Sequence, residues 1–125
     1  GIQTSIFIDA DAAQIEAAAR VGAGVCEIHT GPYAHASHDH GDDAEHPAVA
    51  AELARVRRGG ELIRAAGMQF NAGHGLNYLN VRPIAALPGV AELHIGHSIV
   101  SRAIFTGLRQ AVQEMKQLMS AAAGD

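Results

Sequence analysis

Tryptophan is absent, cysteine and lysine occur once each, and aromatic residues make up only 4% of the sequence. A lone cysteine excludes an internal disulfide. Set in an apolar run, Cys26 reads as a small buried hydrophobe in a reducing, cytoplasmic compartment. No apolar stretch approaches the roughly 20 residues that cross a bilayer, and the opening residues lack the basic-then-apolar order of a secretory leader. Nine Lys and Arg stand against thirteen Asp and Glu, for a formal net charge of −4. The basic residues are scattered, so neither a nucleic-acid footprint nor a polybasic membrane patch is expected. A phosphorylated small molecule is not excluded, because backbone N–H groups at a helix N-terminus bind phosphate without net positive charge.

What the sequence does have is a repeated pattern. Ile6-Phe7-Ile8 runs into Asp9-Ala10-Asp11, and Val25-Cys26-Glu27-Ile28 into His29-Thr30-Gly31. Met68-Gln69-Phe70 runs into Asn71-Ala72-Gly73-His74-Gly75, and Leu93-His94-Ile95 into Gly96-His97-Ser98. Each short apolar run ends in polar residues and glycine, and helical character follows. Strand, polar loop and helix in alternation describe a parallel α/β protein with its chemistry at the carboxyl ends of the strands.

Strands are expected near Gln3–Ile8, Val25–His29, Gln69–Ala72 and Glu92–Ile95. Asp9 or Asp11 can cap a helix from Ala12 to Val21, closed by Gly22 and Gly24. Thr30 to His46 reads as a long polar loop, and Pro47 suits the first turn of a helix reaching Ala66. Gly59-Gly60 within that helix costs helical stability and marks close packing or a bend. Asn80 can cap a short helix, Val81–Ala86. A further short helix, Ser98–Phe105, precedes Leu108–Ala122, whose apolar residues recur at helical spacing.

Side chains alternate along a strand. One face collects Ile6, Ile8, Cys26, Ile28, Phe70, Ala72, Leu93 and Ile95, which should pack under the helices. The other collects Ser5, Asp9, Glu27, His29, Gln69, Asn71, Glu92 and His94. Parallel strands are usually apolar on both faces, so this polar lining departs from the rule. Burying an unpartnered charge is costly, so Glu27, His29, Glu92 and His94 should be paired, hydrated or catalytic. Four strand–helix units form half of a (β/α)8 barrel, which normally needs about 250 residues. Such a half leaves two open sheet edges, to be closed by another chain or a second copy.

Among individual residues, His74 between two glycines just past a strand is the foremost candidate for proton exchange near neutral pH. Gly96-His97-Ser98 ahead of a short helix fits a phosphate site at the final strand. Glu27 inside a strand reads equally as a salt-bridged structural group or an electrostatic participant. His29 and His94 read as satisfied core histidines. From His35 to His46, four histidines and four carboxylates fall within twelve residues. Structural zinc sites want ligands on a rigid frame, so this polar, glycine-containing segment reads as a solvated loop.

Taken in order, Phe7-Ile8-Asp9-Ala10-Asp11, Glu27-Ile28-His29-Thr30-Gly31-Pro32-Tyr33-Ala34, Asn71-Ala72-Gly73-His74-Gly75-Leu76-Asn77-Tyr78 and Ile95-Gly96-His97-Ser98-Ile99 resemble the C-terminal half of the pyridoxine 5′-phosphate synthase family. The Thr106-Gly107-Leu108 junction and the final amphipathic helix match as well. The resemblance spans essentially all of the sequence. It implies a TIM-type (β/α)8 barrel, of which residues 1–125 supply the four C-terminal βα units of a single domain. It further implies a cytoplasmic, octameric homo-oligomer without metal or organic cofactor. The reaction implied condenses 1-deoxy-D-xylulose 5-phosphate with 3-amino-2-oxopropyl phosphate to pyridoxine 5′-phosphate, phosphate and water. By motif position, His74 corresponds to the proton donor and Glu27 to the transition-state stabiliser. Gly75, Gly96 and His97 correspond to contacts with the aminoketone phosphate. The other acid/base residues of that family belong to the N-terminal half, the expected partner of these strands.

Two rival readings come from other classes. Another phosphate-binding barrel, an aldolase or isomerase, commonly uses a strand lysine or a Glu–His pair, and the one lysine here, Lys116, falls on the last helix. A non-enzymatic metal-binding module would be built on the His35–His46 segment.

Overall fold

The computed structural model describes residues 1–124. Its elements run β1 (Ser5–Ile8), α1 (Ala12–Arg20), β2 (Val25–His29), α2 (Gly31–Asp39), α3 (Pro47–Ala65), β3 (Gln69–Gly73), α4 (Val81–Ala85), β4 (Val90–His94), α5 (His97–Thr106) and α6 (Leu108–Ala123). The four strands form one parallel sheet in the order β1-β2-β3-β4. The expected alternation of strand and helix is therefore present, in a sheet with both edges open among the described residues.

The period-two assignment of faces holds strand by strand. Cys26, Ile28, Phe70 and Ala72 are fully buried beneath the helices, with Ile6, Ile8, Leu93 and Ile95 packed around them. Burial pushes the Cys26 thiol up to about 11, which leaves it protonated and inert. The glycine pair in α3 has a packing cause. A Cβ at Gly59 would lie 2.5 Å from Cδ1 of Ile28, and one at Gly60 would overlap the Phe70 ring. Each glycine costs the helix about 1 kcal/mol relative to alanine, and in return α3 lies directly on β2 and β3.

At the helix ends, Asp11 caps α1 by accepting from the Gln14 amide at 3.0 Å. Asn80 departs from expectation. Its side chain does not cap α4 but turns back into the preceding loop, accepting from the Asn77 amide at 2.8 Å. The fourth strand begins earlier than expected, at Val90, because it pairs with Phe70 before a register shift between Phe70 and Asn71.

The expected loop from Thr30 to His46 is a correction. Its first part is helix α2, with Pro32 in the first turn. The helix buries Tyr33, Ala34 and Ser37. Tyr33 donates its hydroxyl to the Asn80 carbonyl at 2.8 Å, and burial with nearby Asp42 pushes its pKa up to about 12. Too few apolar residues mark this helix for periodicity to reveal it; one anchored tyrosine holds it down. Beyond it, Gly41 and Asp42 turn the chain with positive φ, and the rings of His40 and His46 stack 3.7 Å apart. None of the described helices is long and apolar enough to cross a membrane.

The last helices are less complete. No residue of α5 is buried, and Val100, Ile104 and Phe105 stand out from it. Phe105 is 89% exposed, more than an isolated half-sheet would favour.

Candidate active site

Strand β2 sends Glu27 and His29 to the polar face, and β3 ends beside them at Gly73. The turn that follows is strained: His74 takes φ 78° and Gly75 φ 77°. A left-handed non-glycine residue costs on the order of 1–3 kcal/mol and persists only where neighbours enforce it. Here the enforcement comes from Thr30. Its buried hydroxyl lies 2.6 Å from the Gly73 carbonyl and 2.7 Å from that of His74, and its own amide donates to Gly73 at 2.8 Å. Gly75 has no room for a side chain, since a Cβ would fall 2.7 Å from that of Ala34.

Further along the loop, the Asn77 carboxamide accepts from the amides of Leu79 and Asn80 at 2.8 and 3.1 Å. Ser98, on the first turn of α5, donates to the Leu76 carbonyl at 2.9 Å. The loop after β3 and the helix after β4 are thus tied together. Helix α5 starts at Gly96 with no side chain capping it, so its first-turn amides and positive dipole end remain available to an anion. A Cβ added to Gly96 would meet nothing within 4 Å.

These pieces surround one cleft of about 610 Å³ at the carboxyl ends of β2, β3 and β4. Glu27, His74, Gly75, Gly96 and His97 all line it, together with Phe7, His94 and Ser98. The five residues that the resemblance assigned to the site therefore line one cleft, whereas His29 and Glu92 lie outside it. A cavity of this size suits a small metabolite.

A family model described as pyridoxal phosphate biosynthesis protein PdxJ matches residues 1–121. The chain belongs to the PdxJ family. It is 69% identical to the pyridoxine 5′-phosphate synthases of Azoarcus sp. (strain BH72) and Dechloromonas aromatica (strain RCB), over 98% of this chain and 49% of each relative. To the pyridoxine 5′-phosphate synthase of Rhodopirellula baltica it is 53% identical, over 95% of this chain and 45% of the relative. The chain spans about half the length of the curated relatives it matches.

Within this PdxJ-family half, the reading of His29 and His94 as core histidines is corrected. Both stand on the open polar face and both are paired. Nδ1 of His29 donates to Oδ1 of Asp9 at 3.2 Å, and its ring meets those of His74 and Phe7 edge-on, with centroids 4.8 and 5.2 Å apart. Nδ1 of His94 donates to Oε2 of Glu27 at 2.6 Å, while its Nε2 lies 3.4 Å from Oε2 of Glu92. Asn71 donates to the same Glu92 oxygen at 3.1 Å. Hydrogen bonding to Glu27, with a further contribution from Glu92, raises the His94 pKa above its ordinary value against the opposing effect of burial. The signal for His94 was present in the alternation that placed it with Glu27; its contact across two strands was not.

The histidine-rich segment contributes no residue to the cleft. Among the described residues, no three His, Cys, Asp or Glu side chains are arranged so that they could hold a metal ion.

Proposed function

We propose that the chain is the C-terminal half of a pyridoxine 5′-phosphate synthase barrel and acts joined to an N-terminal half that closes its two sheet edges. The substrates are 1-deoxy-D-xylulose 5-phosphate and 3-amino-2-oxopropyl phosphate. Supporting this are the family membership and, above all, the convergence of His74, Gly75, Gly96, His97 and Glu27 on one cleft. In this reading the phosphate of the aminoketone rests on the amides around Gly96 and His97 and at Gly75. Gly96 lacks a side chain although the fold leaves room for one, and in this reading the phosphate takes that space.

Condensing an amine with a ketone, expelling water and losing phosphate requires several proton transfers. His74 serves as donor, its imidazole held out by the strained turn, since a histidine ring can both give and recover a proton. Glu27 places negative charge where cationic character develops on the condensing amine. The remaining acid/base groups belong to the N-terminal half. Octameric assembly and a cytoplasmic location complete the proposal, and the exposed apolar residues of α5 are consistent with burial in such an assembly.

The test is His74→Asn in the complete barrel, assayed with both phosphorylated substrates. Turnover should fall by about 10²- to 10⁴-fold, the range for losing a general acid, with KM changed far less. An undiminished kcat would remove His74 from the mechanism.

A further inference from the structure

His94 lines the cleft and grips Glu27, yet the proposed chemistry assigns it nothing. It reaches Glu27 from two strands away. In the sheet register His94 sits opposite Gly73 on β3, and Glu27 sits opposite Asn71, two residues earlier on that strand. Side chains on β2 and β4 meet over β3 only where β3 has none. At Gly73 a Cβ would fall 2.5 Å from Oε1 of Glu27 and 3.1 Å from Cβ of His94. The glycine that opens the catalytic loop therefore also makes room for this contact.

We infer that His94 is a positioning residue for Glu27: clamped between Glu27 on β2 and Glu92 on its own strand, its ring holds Oε2 and leaves Oε1 unbonded over Gly73 in the wall of the cleft. Oε1 accepts no hydrogen bond among the described residues, so it is the oxygen available to a developing cation. The inference rests on the synthase reading above. Both ring nitrogens of His94 face carboxylate oxygens, at 2.6 and 3.4 Å, an arrangement that favours the imidazolium. The groups bearing on it are Glu27 from β2, Glu92 from β4 and the uncharged Asn71 from β3, whose Nδ2 lies 3.5 Å from Nε2, with His74 and His97 across the same cleft. Held by one oxygen, the Glu27 carboxylate is restricted to one rotamer, and misplacing a catalytic group by about 1 Å can cost 100-fold.

The decisive experiment is a double-mutant cycle in the complete barrel with His94→Ala, Glu27→Gln and the pair. His94→Ala alone should lower kcat about 10- to 100-fold, with KM for either substrate little changed. Combined with Glu27→Gln it should add almost nothing, because it acts through that carboxylate. His94→Asn, whose amide nitrogen can stand in for Nδ1, should recover most of the loss. Wild-type kcat in His94→Ala, or losses that multiply in the double variant, would overturn the proposal. A second arm does not need turnover: by NMR the His94 ring should titrate above ordinary histidine, and Glu27→Gln should lower that value. An unmoved titration would overturn the contact itself. If the wild-type barrel makes no pyridoxine 5′-phosphate, the synthase reading fails, and the NMR arm still judges the pair.

Discussion

The two faces of the sheet are built from alternate residues of the same strands and have opposite characters. Toward the helices, Cys26, Ile28, Phe70 and Ala72 are sealed, and α3 is pressed onto them by two glycines. On the opposite, polar face, Asp9, Glu27, His29, Glu92 and His94 are partly exposed and satisfy one another in pairs, and Glu27 and His94 among them line the cleft. The dry face is sealed over the two central strands, with the edge-strand residues Ile6, Ile8, Leu93 and Ile95 partly buried around them. The polar face is organised but open, with an edge strand at either side and an uncovered α5. Stability and chemistry are thus separated by a single residue step along each strand.

Changes on the two faces should accordingly be felt in different measurements. The largest expected effect on stability is Phe70→Ala. It empties the ring's place between the sheet and Gly60 and should lower unfolding free energy by about 3–5 kcal/mol. Denaturant unfolding checks this, and a loss under 1 kcal/mol would mean the core face relaxes far more freely than its packing indicates.

A matched pair of glycines sharpens the contrast. Gly75→Ala imposes a positive φ on a Cβ and drives it against Ala34. It should cost about 1–3 kcal/mol of stability as well as activity, by disturbing His74. Gly96→Ala meets nothing, so stability should stay within about 0.5 kcal/mol while KM for the aminoketone phosphate rises. Equal thermal shifts in the two variants would erase the distinction between a glycine needed by the fold and one needed by the ligand.

The smallest effect is in pH dependence. Because pairing with Glu27 and Glu92 raises the His94 pKa above 6.5, the ion pair's contribution is fully present below that ordinary value. It is lost as pH rises through the higher folded value. Denaturation midpoints measured from pH 6 upward should therefore contain a shallow decline that flattens in Glu27→Gln. His94 is partly exposed, which keeps this contribution modest.

Much of this was legible in the chain itself. Strand and helix order, the two faces, and the placing of His74, Gly75, Gly96 and His97 at strand ends follow from local periodicity and loop chemistry. The misses share one cause. Helix α2 has almost no apolar stripe and depends on Tyr33 reaching Asn80. Asn80 stands where a helix cap is expected, yet its side chain serves the loop before it.

Sequence alone determined which residues face the helices and which face the cleft, because alternation along a strand is a property of the strand. Tertiary structure decided which of the cleft-facing groups touch. His94 meets Glu27 only because β3 lies between them with Gly73 at the crossing, and His74 keeps its left-handed turn only because Thr30 is beside it. Such contacts depend on strand order and register, which bring together residues 67 and 44 positions apart, and no local pattern encodes that distance.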